Sequence, residues 1–197
     1  MVTSREVERV FREAGAFREG HFLLASGKHS SRYLEKFQVL QWPVRTAALC
    51  ADIAEWAREL KPATVAGPTT GGVILAHEVA RQLELRAVYA ERNGSGPGRE
   101  FRRGFELASG ERVIVVDDIM TTGGSVQETI DAVRRAGAQV VGAAVLVDRS
   151  GGAAKLDVPL RALWTIDIRT YMADDCPQCA EGMPLTKPGT TPAPVAR

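Results

Sequence analysis

Two adjacent acids, Asp117 and Asp118, end an apolar run and precede a loop of small, hydroxyl-bearing residues. Carboxylates suit ribose hydroxyls, or a Mg²⁺ ion that keeps most of its water. Backbone N–H groups that open a helix suit a phosphate, and glycines allow close approach. An acidic turn before a helix capped by Thr122 or Ser125 is the alternative. The residues of this predicted sugar-phosphate site are Asp117, Asp118, Ile119, Met120, Thr121, Thr122, Gly123, Gly124 and Ser125.

A second short loop, residues 67–72, also follows a predicted strand and precedes a predicted helix. Its amides would face another anionic group, so Thr69, Thr70 and Gly71 are candidate binding residues. Taken alone, the loop has an ordinary strand-to-helix turn as its alternative. Together with the first loop, this second loop favours a ligand with two phosphate groups.

Glycine and proline punctuate a basic segment, residues 89–104, between two β-prone stretches. We predict a mobile loop, containing residues 94–98, that closes over a substrate and excludes water. Arg92 and Arg99 are the candidates for contacting a departing diphosphate, because a guanidinium group binds phosphate in a bidentate manner. The alternative is a solvated hairpin with surface charges.

Cys176 and Cys179 have a C-x-x-C spacing that can hold a metal ion or form a redox pair. A zinc site needs about four ligands, and the sequence offers neither a second C-x-x-C nor a nearby histidine. We therefore expect a redox or merely structural pair rather than an intrachain zinc site. Cys50 lies in a helical pattern and is expected to pack as a small hydrophobic residue.

Strands and helices alternate along the chain, and this pattern positions both candidate loops. Helices are predicted at 4–13, 43–60 and 71–83 and after residue 124; β-prone segments are predicted at 21–24, 64–67, 87–90, 112–117 and 140–148. Such alternation predicts an α/β fold with a mostly parallel central sheet flanked by helices. The candidate loops then lie at the carboxyl ends of strands, where open α/β sheets bind ligands.

Length and composition are those of one ordinary enzyme domain spanning residues 1–197. The chain is 45% hydrophobic and 25% charged, with a net charge of +1. We therefore expect no dedicated nucleic-acid surface, although Arg99, Arg102 and Arg103 form a local basic cluster. The absence of a long apolar run and of a secretion signal predicts no membrane span and a cytoplasmic location. The tail, about residues 185–197, is rich in proline and threonine and is expected to fray.

The acidic run and its loop resemble the 5-phosphoribosyl 1-diphosphate motif of type I phosphoribosyltransferases. Four segments together resemble the orotate phosphoribosyltransferases: residues 20–28, Glu91-Arg92, residues 117–125 and residues 147–149. The C-terminal segment around the two cysteines resembles some bacterial and archaeal members. The resemblance implies the type I fold with a small hood from about residues 1–40, with a contribution from the C-terminal segment left open. It also implies Mg²⁺ as cofactor and a homodimer that shares its mobile loop across two sites.

The resemblance further implies phosphoribosyl transfer from 5-phosphoribosyl 1-diphosphate to orotate, in UMP biosynthesis. The donor is then expected on residues 117–125, with Thr69, Thr70, Gly71, Arg92 and Arg99, and orotate on Thr121, Arg149, Lys28 and Tyr33. The planar guanidinium of Arg149 matches a carboxylate, while a structural ion pair with Asp148 or a neighbouring residue is the alternative. Lys28 is as compatible with a solvated position as with a phosphate or base contact.

Family members often carry a lysine before the first Ser-Gly, a lysine in the diphosphate loop, and a lysine and a histidine in the mobile loop. Here Ala25, the glycines at 71 and 72, and a Gly-Ser-Gly-Pro-Gly stretch take these places. Arg92, Arg99 or Arg102, or a partner subunit, then has to supply the loop's charge. Two alternatives remain open: a phosphoribosyltransferase for another nucleobase, and a donor-sensing regulator that binds nucleic acid.

Overall fold

The structure is a computed structural model that describes residues 2–24 and 26–188. Its helices are α1 (Ser4–Glu13), α2 (Phe37–Leu40), α3 (Pro43–Leu60), α4 (Gly71–Leu83), α5 (Gly124–Arg135) and α6 (Pro177–Ala180). Its strands are β1 (Phe17–Leu23), β2 (His29–Leu34), β3 (Thr64–Pro68), β4 (Arg86–Arg92), β5 (Arg99–Phe101), β6 (Arg112–Met120), β7 (Gln139–Asp148) and β8 (Leu160–Thr165).

Six strands form the central sheet, in the order β5-β4-β3-β6-β7-β8. The pairs from β4 to β8 are parallel, and the edge strand β5 pairs antiparallel with β4. The strand order reverses between β3 and β6, because β3 leads to β4 on one side and β6 leads to β7 on the other. Open α/β sheets bind ligands at the carboxyl ends of strands beside such a reversal. The loops after β3 and β6 meet at this place.

Aliphatic side chains cover both faces of the sheet. β6 sends Ile114 and Val116 into one core, which also contains the buried faces of α1, α3 and α4. Val113 and Val115 alternate with them and enter a second core beneath α5. This period of two on a strand buried on both faces explains its continuous β-branched run. The site residues that follow this run therefore start from a rigid strand.

β1 and β2 form a separate, antiparallel, two-stranded sheet. The C-terminal segment joins it, since His29 bridges to Tyr171 and Phe22 bridges to Thr186. A lone two-stranded hairpin is only marginally stable in water, so these contacts support it. α1 lies outside this small sheet and packs into the main core, where Val7 and Phe11 are fully buried.

The predicted α/β class with a mostly parallel sheet is confirmed, and three predicted helices have the observed bounds. β8 was not predicted, because Leu-Arg-Ala-Leu-Trp-Thr contains no valine or isoleucine. The tail differs from the expected frayed segment at Thr186, whose backbone bonds with His21 and Leu23. Residues 189–197 lie outside the described residues. Within the described residues, we find no helix with the length and apolar character required to cross a bilayer.

Candidate active site

The loop after β6 surrounds a small cavity of about 100 Å³. Gly123 has a φ of +85°, a conformation that glycine adopts without strain, and α5 starts directly after it. This sharp turn presents the backbone N–H groups of the first turn of α5, where the helix dipole is positive. The cavity is therefore suited to a phosphate group. Its lining residues are Asp117, Ile119, Met120, Thr121, Thr122, Gly123, Gly124, Ser125 and Val126.

The two acids lie within β6 and not in the loop that follows it. The predicted strand end at Asp117 is wrong, because pairing between β6 and β7 continues to Met120 and Asp148. Adjacent strand residues point to opposite sides. Asp117 accordingly lines the phosphate-sized cavity, whereas Asp118 faces Lys36 on the other side.

Both carboxyl groups are buried, and this changes how they ionise. Burial and, to a smaller extent, the neighbouring charge of Asp118 raise the pKa of Asp117 to about 7, although a hydrogen bond from the backbone N–H of Asp118 opposes the shift. Burial also raises the pKa of Asp118, while Lys36 lowers it. Asp117 therefore changes charge near neutral pH, where a ligand that brings positive charge would favour its ionised form.

Asp118 connects the two sides of the strand reversal. Its Oδ1 lies 3.0 Å from Lys36 Nζ, and its Oδ2 is buried with no hydrogen-bond partner among the described residues. A Cβ at Gly71 would lie 1.6 Å from that Oδ2, so only glycine fits there. The missing side chain at Gly71 thus makes room for the carboxylate of Asp118.

The loop after β3 is held tightly against its neighbours. A Cβ at Gly67 would meet the carbonyl oxygen of Gly72 at 2.1 Å, which no side chain tolerates. The peptide bond between Thr69 and Thr70 is cis. α4 starts at Gly71 without a side-chain cap, so its first N–H groups are available to a second anion.

Arg99 is a buried anchor in the structure and does not lie in a solvent-exposed loop. It is 2% exposed, its Nη1 donates to Thr69 Oγ1 at 3.1 Å and to the Ala90 carbonyl at 3.2 Å, and its Nε lies 3.4 Å from Glu128. Burial lowers its pKa. Arg99 thereby ties β5 to the loop after β3.

The basic segment forms the hairpin of β4 and β5, in which Arg92 lies opposite Arg99. Arg92 is exposed, and the turn is closed by a hydrogen bond from Asn93 N–H to the Gly98 carbonyl. Arg102 and Arg103 pair with Glu100 and Glu91. The hairpin alternative therefore describes this conformation, and closure over a substrate stays a prediction.

A larger cavity of about 510 Å³ lies between the β1-β2 sheet and the loop after β6. Arg149 enters it partly buried, with its Nε unpaired within the described residues and its pKa lowered by burial. The alternative pairing with Asp148 is wrong, because Asp148 accepts bonds from Ser150 and Gly152. An unpaired buried guanidinium N–H suits an anionic ligand group. The lining residues are Leu24, Ser26, Tyr33, Leu34, Glu35, Lys36, Phe37, Ile119, Thr121 and Arg149.

Tyr33 and Lys28, both expected near the acceptor, differ in position. Tyr33 lines the larger cavity, and its hydroxyl lies 3.2 Å from Glu35. Burial raises the pKa of this hydroxyl, so it stays a hydrogen-bond donor at neutral pH. Lys28 is exposed in the tight turn between β1 and β2 and does not line the cavity.

Sequence reasoning missed the link between β2 and α2. Glu35, Lys36 and Phe37 all line the larger cavity, and Lys36 also pairs with Asp118. α2 has only four residues, which is too short for a recognisable hydrophobic period. The sequence signal that remained was an adjacent acid and base, Glu35 and Lys36, which follow no predicted strand.

The expectation that no histidine lies near the C-x-x-C pair is wrong. His21 and His29, far away along the chain, lie within 3.6 Å of Cys179 Sγ. The sequence separation conceals this contact, because the C-terminal segment folds back onto the β1-β2 sheet. Cys50 is buried in α3 as expected, and burial raises the pKa of its thiol to about 12.

Comparison with known proteins identifies relatives of this chain. Residues 38–167 match the family described as phosphoribosyl transferase domain. An orotate phosphoribosyltransferase of Caldicellulosiruptor saccharolyticus is 46% identical over 92% of this chain and 94% of its own length. The protein of the same name from Desulforamulus reducens is 47% identical over 94% of this chain and 96% of its own length.

A solved structure gives the same picture for the fold. The crystal structure of orotate phosphoribosyltransferase from Aeropyrum pernix superposes with a TM-score of 0.69 and 30% sequence identity. The alignment covers 81% of this chain and 93% of that chain. The likeness therefore extends over most of both chains.

Proposed function

This chain belongs to the orotate phosphoribosyltransferase family, and we propose that its two adjoining cavities transfer a phosphoribosyl group from 5-phosphoribosyl 1-diphosphate to orotate. The products are orotidine 5′-phosphate and diphosphate, a step of de novo pyrimidine biosynthesis. One observation carries the assignment of sites: Ile119 and Thr121 line both cavities. A ribose held on one side of this shared wall faces a base held on the other.

The donor occupies the strand reversal in this proposal. The 5′-phosphate is bound by the N–H groups at the start of α5, and the ribose hydroxyls by Asp117 and Asp118. The diphosphate lies along Thr69, Thr70 and Gly71, where the first N–H groups of α4 are available. Arg99 holds this second loop in place through Thr69, and the exposed Arg92 is free to approach the leaving group.

The acceptor occupies the larger cavity. The orotate carboxylate binds the unpaired buried edge of Arg149, and Thr121 and Tyr33 offer hydroxyl groups to the ring. This arrangement explains a preference for an acidic base, because a neutral base would leave the buried guanidinium without a partner. Lys28 remains a candidate only if the β1-β2 turn moves toward the cavity.

The reaction follows from positioning. The C1–O bond to diphosphate breaks, and its electron pair leaves on the diphosphate. A ring nitrogen of orotate forms the new bond to C1 and releases its proton. The transition state carries positive charge on the ribose, and the buried carboxylates of Asp117 and Asp118 are placed beside it. No residue is assigned as a general acid.

The acidic pair fits the Mg²⁺ that this chemistry calls for. Asp118 has a buried Oδ2 without a partner, and Asp117 carries a carboxyl whose pKa of about 7 favours ionisation beside a cation. When bound with the donor, Mg²⁺ would neutralise charge on the diphosphate. Asp117 and Asp118 would hold it mainly through water and the ribose hydroxyls.

We also propose a homodimer in the cytoplasm. Trp42, Val44 and Ile74 are 54%, 83% and 37% exposed. Pro43 and Ile74 line one apolar cavity between α3 and α4. A patch of large apolar side chains is typical of a subunit interface. Ile74 lies in the first turn of α4, directly after the diphosphate loop, so a second subunit there would lie next to the site.

The base specificity tests this proposal. The purified protein is incubated with 5-phosphoribosyl 1-diphosphate and Mg²⁺, and base consumption is followed by ultraviolet absorbance. Orotate should be consumed, while hypoxanthine, adenine, xanthine and uracil should react at least about 100-fold more slowly. Preferred turnover of a purine or of uracil would refute the assignment of Arg149 as the carboxylate partner.

A further inference from the structure

Four metal-binding side chains meet beside the β1-β2 sheet, away from both substrate cavities. They are His21 on β1, His29 at the start of β2, and Cys176 and Cys179 on either side of Pro177-Gln178. One ligand atom of each lies within 4.8 Å of all the others. His21, His29 and Cys176 are buried, and Cys179 closes the cluster on its exposed side.

Four of the six distances between these ligand atoms, 3.0–3.6 Å, come close to those of a tetrahedral site. A zinc ion with Zn–N bonds of about 2.0 Å and Zn–S bonds of about 2.3 Å keeps its ligand atoms roughly 3.3–3.8 Å apart. His21 Nε2 lies 3.5 Å from Cys176 Sγ and 3.6 Å from Cys179 Sγ. His29 Nδ1 lies 3.2 Å from Cys179 Sγ and 3.0 Å from His21 Nε2.

The surroundings orient these ligands. His21 Nδ1 lies 2.9 Å from the Met183 carbonyl, which only accepts hydrogen bonds, so Nδ1 carries the hydrogen and Nε2 turns its lone pair toward the cluster. Gln178 Nε2 donates to the Gly20 carbonyl at 2.9 Å and so ties the cysteine turn to β1. Both cysteines are free thiols in this structure, which leaves their sulfur atoms available.

We propose that His21, His29, Cys176 and Cys179 bind one Zn²⁺ ion as a structural site. Two imidazole nitrogens and two thiolates are a ligand set that favours zinc, and four protein ligands leave no open position for catalysis. Binding releases the two thiol protons, since the ligating form of cysteine is the thiolate.

The ion joins the two strands of the β1-β2 sheet to the C-terminal segment. β1, β2 and the C-terminal segment are linked by the bridges from Phe22 to Thr186 and from His29 to Tyr171. The same hairpin carries Leu24 and Tyr33 into the larger cavity. The zinc site therefore fixes one wall of that cavity without touching a substrate.

Metal content tests the proposal directly. The full chain, produced without a histidine tag and purified without chelators, is examined by inductively coupled plasma mass spectrometry. We expect about one zinc per chain, and a loss of at least about tenfold in Cys179→Ser and His29→Asn. The chain offers matched controls, because its third cysteine and third histidine lie elsewhere: Cys50→Ala and His77→Gln should keep their zinc.

A second measurement covers variants that fail to fold. Wild-type protein is stripped of metal, titrated with Co²⁺ and followed by visible absorption. A tetrahedral thiolate spectrum that saturates at one equivalent, and is displaced by Zn²⁺, supports the site. Iron instead of zinc, no bound metal, or a Cys176–Cys179 disulfide under reducing conditions would each overturn it. None of these results depends on transferase activity.

Discussion

The carboxyl group of Asp117 combines two conflicting properties. It is only 6% exposed, and the next residue along the chain, Asp118, is also an acid. Burial and this like charge both disfavour its ionised form. The proposed reaction needs this ionised form beside the positive charge of the ribose. The site therefore holds a group whose charge destabilises the free protein and becomes favourable only with ligand bound.

Replacing Asp117 by asparagine should stabilise the free protein at high pH. Its pKa in the folded state is about 7, above its ordinary value, so the folded chain binds more protons than the unfolded chain between these values. The stability of the wild type should accordingly fall as pH rises toward 7. Asp117→Asn, which keeps the acceptor for the Asp118 N–H, should gain on the order of 2 kcal/mol at pH 8.5 and little at pH 4.

Thermal unfolding at these two pH values measures this effect. The exposed Asp167 provides the control, since Asp167→Asn should have an equally small effect on the melting temperature at both pH values. A loss of stability in Asp117→Asn at pH 8.5 would contradict the account of its pKa. The same variant should lose catalytic activity, because the amide carries no negative charge.

Arg149 should determine the affinity for orotate. A charged hydrogen-bonded contact contributes about 1.5–3 kcal/mol, so Arg149→Ala should raise KM for orotate roughly 10–100-fold. KM for the donor should change less than about threefold, because the donor lies on the other side of Thr121. Steady-state kinetics on both substrates measures this, with the exposed Arg169→Ala as control. An unchanged KM for orotate would show that Arg149 does not bind the carboxylate.

At the residue level, the sequence identified nearly all of the residues that line the smaller cavity, but fewer than half of those that line the larger one. Asp117, Thr121 and Arg149 were recognisable because acids, hydroxyls and an arginine followed predicted strands. Lys36 was not, since its partner Asp118 lies 82 positions away in the chain (118 minus 36) and no local pattern encodes that contact.

The loops after β3 and β6 depend on each other. Gly71 opens α4 and lies against Asp118 of β6, so the two strand ends at the reversal fit only as a pair. This close approach fixes the diphosphate loop relative to the acids. The proposed ribose site therefore includes the loop after β3, because Gly71 lies against Asp118.

A methyl group at Gly71 should disrupt this fit. Its Cβ would lie 1.6 Å from Asp118 Oδ2, so the loop or the strand has to shift. We expect Gly71→Ala to lose about 1–3 kcal/mol of stability and about 100-fold in kcat. The melting temperature and steady-state kinetics measure both. In the double variant Gly71→Ala with Asp118→Ala, the overlap is removed, so its melting temperature should be higher than that of Gly71→Ala alone. Equal melting temperatures for the single and the double variant would exclude this contact.

The elements themselves were predicted unequally well. α1, α3 and α4 were predicted with their observed bounds because their apolar periods are long and clear. β2, β5, β8 and α2 were missed, since each is short or lacks a β-branched run. The contact between the C-terminal segment and β1 was unpredictable for another reason: pairing across such a distance has no local signal.

For the whole molecule, the exposed apolar patch of Trp42, Val44 and Ile74 supports association with a second copy. A charge placed there should oppose burial of the patch. We expect Ile74→Glu to shift the protein from dimer to monomer in sedimentation equilibrium, with at least about a tenfold rise in the dissociation constant. Met172→Glu, an exposed apolar position outside the patch, should leave the dimer intact. A wild-type monomer would contradict the dimer.

The most direct test of the account is the stoichiometry of turnover by the wild-type chain. Orotate, 5-phosphoribosyl 1-diphosphate and Mg²⁺ are mixed with the enzyme, and the products are quantified by chromatography and mass spectrometry. The account predicts one orotidine 5′-phosphate and one diphosphate for each orotate consumed. Donor binding without any orotidine 5′-phosphate, at all enzyme concentrations, would contradict it.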